Sequence, residues 1–291
     1  MISKGILSKM MVAGWVCFVV AASAGEFKPD ANTLFLAHYN TSLNADYSQG
    51  PAKPDPLDTA YLTKNGGCFG GGLVARVGAE ALKEAGADVS ASTLMPIKFF
   101  DGVRYPSPGN LDLVKGTFEC RYKPYFSIKR AEKMPEGWPI HYTIFGYTET
   151  NESYMGLGIN HYVGGNSFYS IVSKKEGGLV CINSGITWNP GTWHHVAMTW
   201  DTTEVPGSIA LFLDGRLAQK LSLAPLKGGF LKQTNEFPYF SIGAPLWRKS
   251  GNEFQFYKAD GVIDEVRISN IVRYKEDFVP EEKSRPSTAG K

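Results

Sequence analysis

The sequence has almost no net charge: 30 Lys and Arg stand against 28 Asp and Glu. Lys4 and Lys9 are the only charged side chains before residue 25, so the rest of the chain balances 28 against 28. A neutral surface exerts no long-range pull on phosphate backbones or anionic lipid, which argues against a nucleic-acid partner. Cysteine is scarce as well. Setting Cys17 aside in the leader discussed below, Cys68, Cys120 and Cys181 remain, so at most one internal disulfide can form. A pairing of Cys68 with Cys181 stays open, but no disulfide framework can carry the fold. Cys120 shares the apolar phase of Phe118 and Tyr122, the place of a buried, inert thiol, and no cysteine has zinc-site spacing. Helical periodicity is rare, repeats of fixed period are absent, and neither a Gly-x-Ser-x-Gly elbow nor a His-Glu-x-x-His helix occurs.

Long apolar runs are missing beyond the first two dozen residues. Lys4 and Lys9 precede an apolar stretch from Met10 to Ala22, followed by the small-x-small pattern Ala22-Ser23-Ala24. This stretch falls short of the ~20 residues a membrane-spanning helix needs. Residues 1–24 therefore read as a cleaved signal peptide, which predicts a secreted or periplasmic protein with no membrane span after cleavage. Val16 before Cys17 excludes a lipid-attachment site there, which requires a small residue.

What is abundant is the period-two alternation of strands with one buried face. Thirty-two glycines and 17 prolines punctuate short apolar runs. The alternation predicts strands at Thr33–Tyr39, Thr117–Lys123, Ile140–Tyr147, Met155–Asn160, Phe168–Ser173, Trp193–Asp201, Ser208–Leu213, Leu217–Leu223, Tyr239–Gly243 and Val262–Ser269. So many strands in an open sheet would leave edges and a bare face, so an all-β, two-sheet antiparallel sandwich is expected. Asp214-Gly215 between two runs predicts a tight hairpin. Ala79–Ala87 has good helix formers and no β-branched residue, and Asn270–Asp277 could form one helical turn capped by Asn270. Residues 25–32 read as an N-terminal linker, and the polar segment 280–291, with two prolines, as a disordered tail.

Three stretches resemble the laminin-G-like branch of the concanavalin A-like lectin/glucanase superfamily: GTWHHVAMTWD from Gly191, IALFLDGRL from Ile209 and GVIDEVRIS from Gly261. Asn110-Leu-Asp, Lys115-Gly-Thr-Phe118 and Tyr122-Lys-Pro124 resemble its earlier strand. The resemblance implies a jelly roll over residues 33–279, with 79–94 as an insertion loop or short helix. It also implies a structural Ca²⁺, held by Asp264 with backbone carbonyls near Tyr39 and Gly71; a carboxylate that caps a loop or pairs with a base reads equally well. The fold hosts lectins, polysaccharide hydrolases and adhesive modules, so kinship alone does not decide between them.

The residues narrow the choice. The glucanase pattern Glu-x-Asp-x-x-Glu is absent, and Asp264 and Glu265 are expected on opposite faces of a strand, so no paired carboxylates for glycoside hydrolysis are evident. The expectation is a non-catalytic exported protein that binds a polysaccharide or glycoconjugate; the alternative is a protein-interaction or surface-structural domain with another surface protein as partner. Sugar recognition calls for flat rings beside hydrogen-bonding groups. Trp188 and Trp247 are the candidate rings, with Trp138 a third loop tryptophan, and Glu119, Arg121 and His195 are the candidate polar contacts on one sheet face. Each residue also has a plain structural reading, as sheet-end packing for the tryptophans and solvated strand surface for the charges. His194, in phase with Val196, Met198 and Trp200, reads as a core-edge histidine bonded to backbone, and His195 as facing the other side.

Overall fold

A computed structural model describes residues 25–55, 61–75, 102–125, 140–150, 152–162, 165–244 and 256–280. Residues 1–24, read from sequence as a signal peptide, residues 79–94, read as an insertion, Trp138, Trp247 and residues 281–291 lie outside the described residues. The described residues contain sixteen strands, of which the first half of the chain supplies β1 (Thr33–Ala37), β2 (Tyr47–Ser48), β3 (Tyr61–Thr63), β4 (Gly72–Ala75), β5 (Val103–Pro106), β6 (Lys115–Pro124), β7 (Ile140–Thr150) and β8 (Ser153–Tyr162). The second half supplies β9 (Gly165–Ser173), β10 (Leu179–Ile186), β11 (His194–Asp201), β12 (Ser208–Leu213), β13 (Arg216–Ser222), β14 (Tyr239–Ile242), β15 (Phe256–Lys258) and β16 (Gly261–Ser269). All ten predicted strands are present, and no helix occurs among the described residues.

The first sheet runs β13-β12-β11-β6-β16-β1-β2, with β4 added to β16 and β3 to β4. The second runs β10-β9-β8-β7-β14-β5, and β15 joins β7 in parallel. Every other pairing is antiparallel, as expected of a jelly roll. Asp214 and Gly215 take φ of 51° and 78° between β12 and β13, the positive pair that a two-residue hairpin matched to strand twist requires.

Alternate side chains of both sheets meet in one apolar layer. Val196, Met198 and Trp200 of β11 are fully buried beside Phe118 and Cys120 of β6, in the phase the sequence predicts. Trp200 lies over Gly116, where a Cβ would fall 2.3 Å from the ring, and its Nε1 donates to the Asp112 carbonyl at 2.9 Å. Phe118 stacks on Phe145 of the second sheet at 4.4 Å between ring centroids, and Phe35 meets Phe240 edge-on at 5.3 Å. The two sheets are therefore joined by rings as well as by aliphatic packing.

Two expectations for the connecting segments are corrected. Residues 270–278 form no helical turn; they run irregularly across the outer face of the first sheet. Local helix bonds would compete with contacts that hold this segment down. Thr117 Oγ1 donates to the Ile271 carbonyl at 2.7 Å, Phe278 N to Gly215 O at 2.7 Å and Leu217 N to the Asp277 carboxylate at 2.8 Å. Tyr274 and Phe278 stack at 3.6 Å and cover Ala197, Ala210 and Phe212. Residues 25–32 are likewise part of the fold, since Phe27 is buried and Asp30 pairs with Arg273 at 2.8 Å.

Trp200→Ala removes a fully buried ring and a side-chain hydrogen bond, and is expected to cost about 3–5 kcal/mol in urea unfolding. A loss below about 1 kcal/mol would contradict the shared layer described here.

Candidate functional site

The outer face of the first sheet is closed by the chain itself. Glu119 is its centre: Oε2 accepts from His195 Nε2 at 3.1 Å and from Tyr274 OH at 2.6 Å, and Oε1 from Arg267 Nε at 2.8 Å. The Arg267 guanidinium lies 4.3 Å from the Phe27 ring, and His195 meets Phe27, Tyr274 and Phe278 edge-on. Glu119 and His195 are 0% and 1% exposed and Arg121 is 7% exposed, so the placement of these three residues on an open ligand face is corrected. The alternation correctly turned them away from the core; residues 25–30 and 270–278 then covered that side. Among the described residues, Arg121 Nε and Nη2 and His195 Nδ1 find no hydrogen-bond partner. Burial alone would raise the Glu119 pKa, but the His195 hydrogen bond and the Arg267 charge bring it down to about 2.

Asp264 and Glu265 sit at a bulge in β16, where Glu265 takes φ 53°. The bulge cancels the expected opposition of the two side chains. Asp264 faces the loop 66–71, and Glu265 reaches the N-terminal segment, accepting from Phe27 N at 2.5 Å and meeting His38 Nδ1 at 2.8 Å. Asp264 is fully buried, and among the described residues its hydrogen bonds come from peptide groups alone: Cys68 N at 2.6 Å, Phe69 N at 3.2 Å and Glu265 N at 2.8 Å. Burial, then the Glu265 charge, push its pKa up to about 7.

The same loop carries backbone oxygens. A Cβ on Gly71 would fall 2.5 Å from Tyr39 O and 2.6 Å from Asn40 O; one on Gly67 would fall 1.5 Å from Gly71 O and 2.8 Å from Asp264 Oδ2. A buried carboxylate with no cationic partner among the described residues, beside clustered carbonyls, fits a hard cation such as Ca²⁺. Among the described residues no three His, Cys, Asp or Glu side chains converge on one point, so backbone oxygens would supply most of such a shell.

The outer face of the second sheet is built differently. Cross-strand partners there form two rows: His141, Asn160, Ser167 and Gly185, then Thr143, Gly158, Tyr169 and Asn183. Gly158 is required, because a Cβ would fall 1.9 Å from Tyr142 O and 2.9 Å from the Tyr169 hydroxyl, which lies 3.2 Å from Thr143 Oγ1. Asn183 Oδ1 accepts from Asn160 Nδ2 at 3.2 Å and Ser167 Oγ at 2.9 Å, while Asn160 Oδ1 meets His141 Nδ1 at 2.5 Å. Thr143, Asn160 and Tyr169 are buried and brace the rows, Ser167 is half-buried, and Asn183 is exposed. None of these was singled out from sequence: Asn and Ser on a strand look like solvated surface until cross-strand register brings them together.

The remaining candidates pack locally. Trp188 stacks on His194 at 3.8 Å with 5° between planes and leans on Phe168 at 5.4 Å, covering a sheet end. His194 is held by side chains in place of the expected backbone, through Asp214 Oδ2 at 2.8 Å and Thr192 Oγ1 at 2.7 Å. Cys120 and Cys181 are free thiols, so Cys181 makes no disulfide to Cys68. Burial raises the pKa of both thiols.

The two antiparallel sheets form a jelly-roll sandwich, with one outer face covered by residues 25–30 and 270–278 and the other lined by hydrogen-bonding side chains. Residues 133–277 match the family described as the concanavalin A-like lectin/glucanases superfamily. No curated protein sequence matches the chain. Solved structures that resemble it include the Ruminococcus gnavus IT-sialidase CBM40 bound to α2,3-sialyllactose, at 15% identity and TM-score 0.38, over 56% of this chain and 79% of that one. The SAP-like pentraxin of Limulus polyphemus matches at 16% identity and TM-score 0.37, over 58% and 76%. A putative carbohydrate-binding protein of Bacteroides ovatus matches at 16% identity and TM-score 0.37, over 62% and 40%.

The low Glu119 pKa fixes a sign for acid stability. The group's folded-state value lies below its ordinary 4.5, so its contribution is complete above that pH and is lost as pH falls toward about 2. Glu119→Gln is expected to lower Tm at neutral pH and to flatten the decline between those limits in calorimetric scans. Equal acid slopes for the two proteins would refute the network's role.

Proposed function

We propose that this is an exported, non-catalytic carbohydrate-binding protein whose ligand lies across β7 to β10 on the outer face of the second sheet. One observation carries the reading: that face presents a hydrogen-bonded array of Asn, Ser, His, Thr and Tyr side chains, held in register by the ladder. The half-buried Ser167 and exposed Asn183 can exchange hydrogen bonds with sugar hydroxyls with little reordering, braced by the buried Thr143, Asn160 and Tyr169. The family match over residues 133–277 supports the class of ligand, since that superfamily takes its name from lectins and glucanases. Support for a non-catalytic role comes from Glu119, Asp264 and Glu265, each fully buried and engaged by other groups. Export rests on the leader at residues 1–24. A protein partner is the second reading, favoured by Leu179, 55% exposed on β10.

Affinity electrophoresis through gels containing single polysaccharides tests the assignment. Retardation is expected with at least one, and the paired change Asn160→Ala and Ser167→Ala is expected to weaken it by about tenfold or more. Unchanged mobility in every gel would refute sugar binding, and a copurifying protein that sugars do not displace would favour the second reading.

Calcium at Asp264 belongs to the same proposal. When bound it would tie the loop 66–71 and the turn at Tyr39 to β16, stabilising the folded state by linkage. Chelation is expected to lower Tm by several degrees, calcium to restore it, and Asp264→Asn to abolish the difference. An identical Tm with and without chelator, and no calcium on elemental analysis, would remove the ion from the account.

A further inference from the structure

Resting on the carbohydrate reading, we infer that the face across β8 to β10 is specific for a neutral glycan and that Asn183 is its central donor, reading one or two adjacent hydroxyls of an uncharged sugar ring. The argument is a hydrogen-bond accounting. Asn160 Nδ2 can only donate, so the Asn183 atom that meets it is its carbonyl oxygen. That oxygen also receives the Ser167 hydroxyl proton, which leaves Ser167 Oγ with acceptor capacity only. Asn160 Oδ1, being an acceptor, requires the proton of His141 on Nδ1.

The orientation of Asn183 is therefore fixed by two bonds to its oxygen, which leaves the two N–H donors of Nδ2 on the far side of the amide, and the residue is exposed. Ser167 Oγ lies 2.9 Å from Asn183 Oδ1 and supplies acceptor lone pairs beside those donors. A sugar hydroxyl that accepts from Asn183 and donates to Ser167 satisfies both groups. Gly185, opposite Ser167 in the ladder, contributes no side chain that would fill the space next to them.

Charge decides the class of sugar. Among the described residues, the two rows carry no Lys, Arg, Asp or Glu: they are His141, Asn160, Ser167, Gly185, Thr143, Gly158, Tyr169 and Asn183. Elsewhere beside the same sheet Lys174 pairs with Glu149 at 2.8 Å and is neutralised by it. A carboxylated sugar held here would lose water without gaining a cation, which is costly. A neutral ring meets no such penalty.

The experiment uses the full mature chain in affinity electrophoresis and titration calorimetry with two sets of probes. Mannan, galactan and mixed-linkage β-glucan form the neutral set, and alginate and polygalacturonate the acidic one. Asn183→Asp is the informative variant, because a carboxylate still accepts from Asn160 and Ser167 while both outward donors are gone. Binding to a neutral probe is expected to change little between about 0.05 and about 0.5 M salt. Asn183→Asp is expected to weaken that binding by about tenfold while leaving Tm within about a degree of the parent. Binding confined to the acidic probes, or undiminished in Asn183→Asp, would overturn the inference and leave the carbohydrate reading standing. Binding to no probe of either set would refute both.

Discussion

Rings and branched side chains from two stacked sheets occupy one buried layer, and the position of every other group follows from it. Trp200, Phe118 and Phe145 cannot leave that layer without opening a cavity in close-packed material. Because side chains alternate along a strand, fixing these inward sends Glu119, Arg121 and His195 to one outer surface and Asn160, Ser167 and Tyr169 to the other. The layer thus sorts the polar residues of the chain into two separate sets.

The two sets meet different fates. On the first sheet, residues 25–30 and 270–278 lie over the polar groups, and Glu119 organises them by accepting from a histidine, an arginine and a tyrosine. A buried carboxylate is tolerated only with such company. On the second sheet the polar groups bond mainly to one another, leaving donors such as those of Asn183 to face outward. Charge is used for closure and neutral amides for presentation. The division agrees with a chain whose formal charge is close to zero.

Asp264 belongs to neither set. The bulge that turns Glu265 to positive φ breaks the ladder and brings two carboxylates into one buried corner, each clasping a different segment by its peptide N–H groups. Sequence reasoning placed Asp264 there through kinship. The strand rule of opposed neighbours failed because a bulge is a local exception to it.

Periodicity by itself determined the ten main strands, the Asp214-Gly215 hairpin and the inward phase of Val196, Met198 and Trp200, because burial of one face leaves a period-two trace in composition. Short strands such as β2, β3 and β15 left no such trace. Only the tertiary structure decided which outward polar groups remain exposed: a sequence shows that Glu119 and Asn183 both point away from the core, but not that Glu119 ends buried and Asn183 exposed. The same holds for the pairing of Asn160 with Asn183, which are distant in sequence and meet through β9. Local alternation records whether a side chain is inside or outside; its partners depend on register between strands, which arises only when the whole layer closes.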